Sequence, residues 1–80
     1  MKLYDIGKAI KTLRKDKGLT QAKLAGIAGI SRVTLGKLER GEVASVSIKV
    51  LDLILDTLDF EIDIISKKTN TFGLDELTSY

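Results

Sequence analysis

Eighty residues, 44% of them apolar and 30% charged, with neither cysteine nor histidine, describe one small domain. The missing thiols and imidazoles exclude a disulfide framework and the common zinc sites, so the core must be ordinary apolar packing. The net charge of +2 divides unevenly, +7 over residues 1–41 and −5 over residues 42–80, which implies either one polyanion-facing surface and one for another partner, or chance clustering on a solvated surface.

In chain order, the first element is DIGKAIKTLRKDK, residues 5–17. Its Ile6, Ala9, Ile10 and Leu13 fall at i, i+3, i+4 and i+7, the spacing of an amphipathic helix. Asp5 is the expected N-cap and Gly18 the expected stop at C′. Thr20 caps a second helix within TQAKLAGIAG, with Leu24, Ala25 and either Ala28 or Ile27 turned inward, and Gly29 interrupts it. Ser31 caps a third helix, SRVTLGKLERG, which Gly41 ends. Residues 42–46, EVASV, read as a short loop. Ser47 then caps a fourth helix, IKVLDLILDTL, whose apolar positions include Leu51, Ile54, Leu55 and Leu58.

After the fourth helix the period changes. FEIDIIS alternates Phe60, Ile62 and Ile64 against Glu61 and Asp63, a β-strand pattern. A lone strand cannot satisfy its own backbone. A second copy of the chain is the simplest partner, in a C2 dimer; a strand packed on its own domain, or a fifth helix, are the alternatives. The polar tail KKTNTFGLDELTSY, residues 67–80, is expected to be mobile in isolation. The expected division is therefore 1–66 for the domain and 67–80 for the tail. No apolar run approaches the roughly 20 residues of a membrane span; VLDLILDTLDFEIDII carries five acids. The charged start MKLYDIGKAIKTLRK is followed by no long apolar segment, so it is not read as a signal peptide. A cytoplasmic, nucleoid-associated protein with no membrane partner is expected.

The third helix poses a question. At about 100° per residue, one of its faces collects Arg32, Val33, Gly36, Lys37 and Arg40, three cations and no acid. A glycine inside a helix costs roughly 1 kcal/mol relative to alanine, so this face is not built for helix stability. Two short helices joined by a tight Gly-containing turn, the second basic on its outside, form the helix-turn-helix pattern. The second helix enters the DNA major groove and the first lies behind it across the backbone. Ala25 suits a close helix crossing, and Gly29 suits a turn with positive φ.

TQAKLAGIAGISRVTLGKLERGE resembles the phage-repressor (Xre, Cro and lambda-repressor) helix-turn-helix family. Its LTQ start, the Leu24–Ala25 pair, the turn glycine, the Ser cap and the LERG ending all follow that pattern, and the match spans roughly residues 5–58. The resemblance implies a mainly α, lambda-repressor-like domain of four or five helices, with one C-terminal β-strand pairing across a dimer. It also implies roles. Gln21 matches a phosphate-contacting glutamine. Arg32, Val33 and Lys37 fall where base edges are read, and Thr34 and Arg40 where backbone contacts are common. Arg14 and Glu39 match a buried structural ion pair; local pairing of Glu39 with Arg40 or Lys37 is the alternative. The reading positions vary in the family, so no target sequence transfers. Chemically, Arg32 suits guanine O6/N7, Val33 a thymine methyl, and Lys37 guanine or a phosphate. Gly36 is either a tolerated surface glycine or a place where backbone and neighbours approach the groove closely.

The continuation LDLILDTLDFEIDI, helix straight into strand, resembles the HipB-type antitoxin branch. That branch pairs the strand with its two-fold mate, binds a HipA-like kinase toxin and represses its own operon. Asp52, Asp56, Asp59, Glu61, Asp63 and the tail are then toxin-facing candidates, or else a solvated acidic surface. The expected function is a homodimeric repressor of a palindromic operator, an antitoxin in this resemblance. A stand-alone phage or chromosomal repressor, and a protein-binding inhibitor with secondary DNA binding, are the alternatives. Without histidine, cysteine or a Gly-rich phosphate loop, an enzyme is not expected, nor a cofactor or a metal.

Overall fold

The computed structural model describes residues 2–66. These residues form four α-helices, α1 (Leu3–Asp16), α2 (Gln21–Ala28), α3 (Arg32–Glu39) and α4 (Ile48–Thr57), with one 3-10 turn at Val43–Ser45 inside the expected loop. Local chemistry sets most boundaries. The hydroxyls of Thr20, Ser31 and Ser47 accept from the backbone N–H of Lys23, Thr34 and Val50 at 3.1, 3.0 and 3.1 Å. Each such cap contributes about 1 kcal/mol. Gly18, Gly29 and Gly41 follow or close their helices at φ of 71°, 72° and 101°, where a side chain would be strained. At Gly29 the left-handed step lets Ile30 N–H donate to Ala25 O at 3.0 Å, which closes α2 and turns the chain toward α3.

The start of α1 corrects the sequence reading. The helix begins at Leu3, so Asp5 is its third residue and not its N-cap. The Asp5 carboxylate instead accepts from the Lys2 backbone N–H at 2.8 Å. An acid in the first turn meets the positive end of the helix dipole equally well at either position, so composition does not separate them.

Each helix puts side chains into one core. Ile10 from α1, Leu24 from α2, Leu35 and Leu38 from α3, and Ile54 from α4 are fully buried, together with Leu58 just past α4. Ala25 and Ala28 fill the narrow space beside them, so Ala28 is the inward residue of the pair considered above and Ile27 stays exposed. α3 packs against both α1 and α2, and α4 closes against α2. The approach of α1 to the end of α3 is possible only because residue 7 is glycine. A Cβ there would fall on the Leu38 carbonyl oxygen, and 3.0 Å from Gly41 N.

Asp59 follows α4 in the left-handed region (φ 67°), and Phe60 N–H donates to Leu55 O at 2.8 Å. Aspartate tolerates this conformation better than most residues. The Asp59 carboxylate also pairs with Lys17 at the end of α1, which ties the two chain segments together. Residues 60–66 carry no regular hydrogen-bonded structure among the described residues. The expected tail, residues 67–80, lies outside the described residues.

Candidate nucleic-acid interface

The outer face of α3 is positioned from beneath. Leu35 and Leu38 are fully buried, and they hold the helix by its inner side. Arg32, Val33, Lys37 and Arg40 then project outward, all exposed, with Val33 at 67%. Val33 is thus an open apolar side chain among cations. Thr34 is half-buried at the start of α3; its oxygen accepts from the Ser31 hydroxyl at 2.9 Å, which leaves its own O–H free to donate.

Behind this face lies a buried polar network. Arg14 Nε and Nη2 donate to the two Glu39 oxygens at 2.6 and 3.2 Å, a two-pronged ion pair with side-chain exposures of 8% and 3%. Arg14 Nη1 donates to Leu19 O at 2.8 Å, in the connection from α1 to α2. Gln21 Nε2 donates to Glu39 Oε1 at 3.0 Å. An ionised carboxylate only accepts, so the amide nitrogen of Gln21, not its oxygen, must face Glu39. One carboxylate thus links α1, the start of α2 and the end of α3. Glu39 does not pair with Arg40 or Lys37; the acid beside Arg40 is Glu42, at 3.9 Å on the surface.

Gly36 departs from the sequence reading. The helical wheel puts it on the open outer face, yet it is buried. Arg40 and Gln21 cover it: a Cβ at Gly36 would stand 3.4 Å from Arg40 Nη1 and 3.9 Å from Gln21 Nε2. The wheel tracks direction from the helix axis and says nothing of a neighbouring side chain that folds back over a vacant position.

The structure therefore gathers Gln21, Thr34, Arg32, Val33, Lys37 and Arg40 along α3 and the start of α2, with Arg14 and Glu39 supporting them from below. Phe60, Ile62 and Ile64 are not part of this group. They lie past α4, exposed at 52%, 46% and 77%. Two features escaped the sequence reading. Gly7 sits between Ile6 and Ile10 on the inner flank of α1, and that placement was the available signal of a close approach. Lys8, Lys11 and Lys15 form an exposed line at i, i+3 and i+7 on α1 and add to the positive half of the molecule.

The family model described as helix-turn-helix matches residues 10–65. Antitoxin PezA of Streptococcus pneumoniae is 51% identical over 49 residues, which cover 61% of this chain and 30% of that protein. An uncharacterized HTH-type transcriptional regulator, y4mF, of Sinorhizobium fredii is 39% identical over 62 residues, 78% of this chain and 80% of that protein. The chain thus spans under a third of the first relative and most of the second.

Proposed function

We propose that this chain, which belongs to the helix-turn-helix family, is a sequence-specific DNA-binding repressor that acts by occupying its operator. The observation that carries the reading is the exposed Arg32–Val33–Lys37 face of α3, anchored from beneath by Leu35 and Leu38. α3 enters the major groove. Arg32 reads guanine, Val33 packs on a thymine methyl, and Lys37 reaches guanine or a phosphate. Gln21, Thr34 and Arg40 hold the sugar-phosphate backbone and set the register. Selection from a random duplex pool at two salt concentrations tests this. Enrichment of a two-fold-symmetric site supports the reading, while binding that only fades with salt, with no enriched site, sinks it. Arg32→Ala is expected to weaken binding to the selected site by about 1–3 kcal/mol and to relax preference at one base pair. Competition with single-base variants of the site reads this out, and an unchanged preference removes Arg32 as a reader.

The repressor works as a homodimer, with half-sites about 34 Å apart. Residues 60–66 supply a strand that pairs with its two-fold mate. Supporting this, the segment alternates apolar and acidic residues, its apolar side chains are exposed, and its backbone forms no strand ladder with other described residues. Ile62→Asp places a charge in that pairing and is expected to yield monomers in sedimentation; a variant that still sediments as a dimer removes the strand from the interface.

The PezA similarity supports an antitoxin role; repression of the protein's own operon rests on the resemblance to the HipB-type branch. A HipA-like kinase as toxin rests on the resemblance of LDLILDTLDFEIDI alone. The exposed acids Asp52, Asp56, Asp59, Glu61 and Asp63 are the surface such a partner would meet.

A further inference from the structure

Each α-helix ends on the same pair of backbone bonds. One residue donates to the carbonyl three back, and the next donates to the carbonyl five back, as in Leu19 N–H to Arg14 O at 3.1 Å and Phe60 N–H to Leu55 O at 2.8 Å. The first residue of the pair lies in the left-handed region, and after α1, α2 and α3 it is a glycine, Gly18, Gly29 or Gly41. After α4 it is Asp59, the one described residue other than glycine with a positive φ. A glycine makes this turn with less strain than any side chain, so the turn alone does not account for an aspartate. Its carboxylate does what no glycine could: it pairs with Lys17, the residue that caps the end of α1. The turn also stands at a junction. Behind it, Leu58 is fully buried in the core; ahead of it, Phe60, Ile62 and Ile64 are exposed, so packing on their own domain does not fix the direction they take. On the other side of the pair, Arg14 lies about one turn before Lys17 and holds Glu39 at the end of α3. The end of α1 is thereby tied both to α3 and to the chain leaving α4.

We infer that Asp59 and Lys17 form a latch that aims residues 60–66 for pairing with a second copy of the chain. The left-handed turn supplies the bend, and the ion pair fixes the bend against α1, so each chain presents its strand already pointed at its mate. The latch rests on the strand-pairing reading above and assigns it two positioning residues that lie outside the strand. An ion pair as exposed as this one is weak, so it biases the direction of the strand and does not lock it. The bias enters the dimer twice, once from each chain. If release of the latch cuts the pairing-competent fraction of each chain about threefold, the scale of one exposed pair, the dimer dissociation constant rises about tenfold.

The test is sedimentation equilibrium of wild type, Lys17→Ala, Asp59→Gly and the double variant, with the full chain in every case. Asp59→Gly keeps the turn, Lys17→Ala keeps the aspartate, and each removes the pair. Both are expected to raise the dimer dissociation constant about tenfold, and the double variant no further, since either change releases the same latch. Monomer stability is read separately in the Ile62→Asp background, where Asp59→Gly should melt at or above its parent because glycine relieves the left-handed turn. A single variant that dimerises as wild type does overturns the latch, and so do losses that multiply in the double variant. A weaker dimer accompanied by a lower melting point of Asp59→Gly in that background also overturns it, because the pair then serves only the fold. The strand reading fails on different evidence: a monomeric wild type, or a dimer untouched by Ile62→Asp, removes the strand from the interface and the latch with it.

Discussion

Replacing Glu39 with alanine is expected to cost about 3–5 kcal/mol of folding stability, the usual result of stripping one partner from a buried ion pair. Arg14 is only 7% exposed, and without Glu39 its guanidinium keeps one described acceptor, Leu19 O. Gln21 loses its acceptor in the same step. At roughly 0.05–0.15 kcal/mol per residue, an 80-residue domain holds about 4–12 kcal/mol, so the loss takes a large share of the total. Urea melts followed by circular dichroism measure this. The companion variant, Arg14→Met with Glu39→Leu, should recover much of the loss, because no buried charge is then left alone. A Glu39→Ala protein within about 1 kcal/mol of wild type would mean that the network contributes little to the fold.

Gly7→Ala is expected to destabilise by about 3 kcal/mol, the upper range for overpacking, although glycine to alanine inside a helix normally gains about 1 kcal/mol. The sign reverses because the new methyl group meets backbone on three sides: Leu38 O, Gly41 N at 3.0 Å and Glu39 C at 3.1 Å. Backbone cannot rotate aside as a side chain does. Relief requires α1 to lift from the end of α3, which pulls on the Arg14–Glu39 pair. Gly26, in the exposed face of α2 with nothing within 4 Å of its Cβ position, is the internal control. Gly26→Ala should stabilise by about 1 kcal/mol. Thermal melts of the two variants should move in opposite directions; movement in the same direction would remove the crowding argument at Gly7.

What is local in the chain was legible in the sequence. The apolar spacing of α1 and α4 appears within two turns. The caps Thr20, Ser31 and Ser47 act on an N–H three residues away. Glycines 18, 29 and 41 stop helices by their own positive φ. Where two local solutions were equally good, the boundary slipped: Asp5 serves the α1 terminus from the third position as well as it would from the cap. The outer face of α3 was legible for the same reason, since Arg32, Val33 and Lys37 share a face by periodicity alone, and Leu35 and Leu38 mark its opposite.

By itself, then, the sequence determined the four helices, their inner faces and the outward set of cations, because periodicity and capping operate within a few residues. Only the tertiary structure decided how Arg14, Gln21 and Glu39 share one carboxylate, why residue 7 must be glycine, and that Gly36 is covered. The pairs 7 with 38, 14 with 39 and 21 with 39 join segments distant along the chain, and Gly36 is covered both by Arg40 one turn on and by Gln21 from α2. Their distances are set by how α1, α2 and α3 pack around Ile10, Leu24, Leu35 and Leu38. Direction around one helix is a property of that helix, but what lies over a vacant Cβ depends on every helix packed beside it.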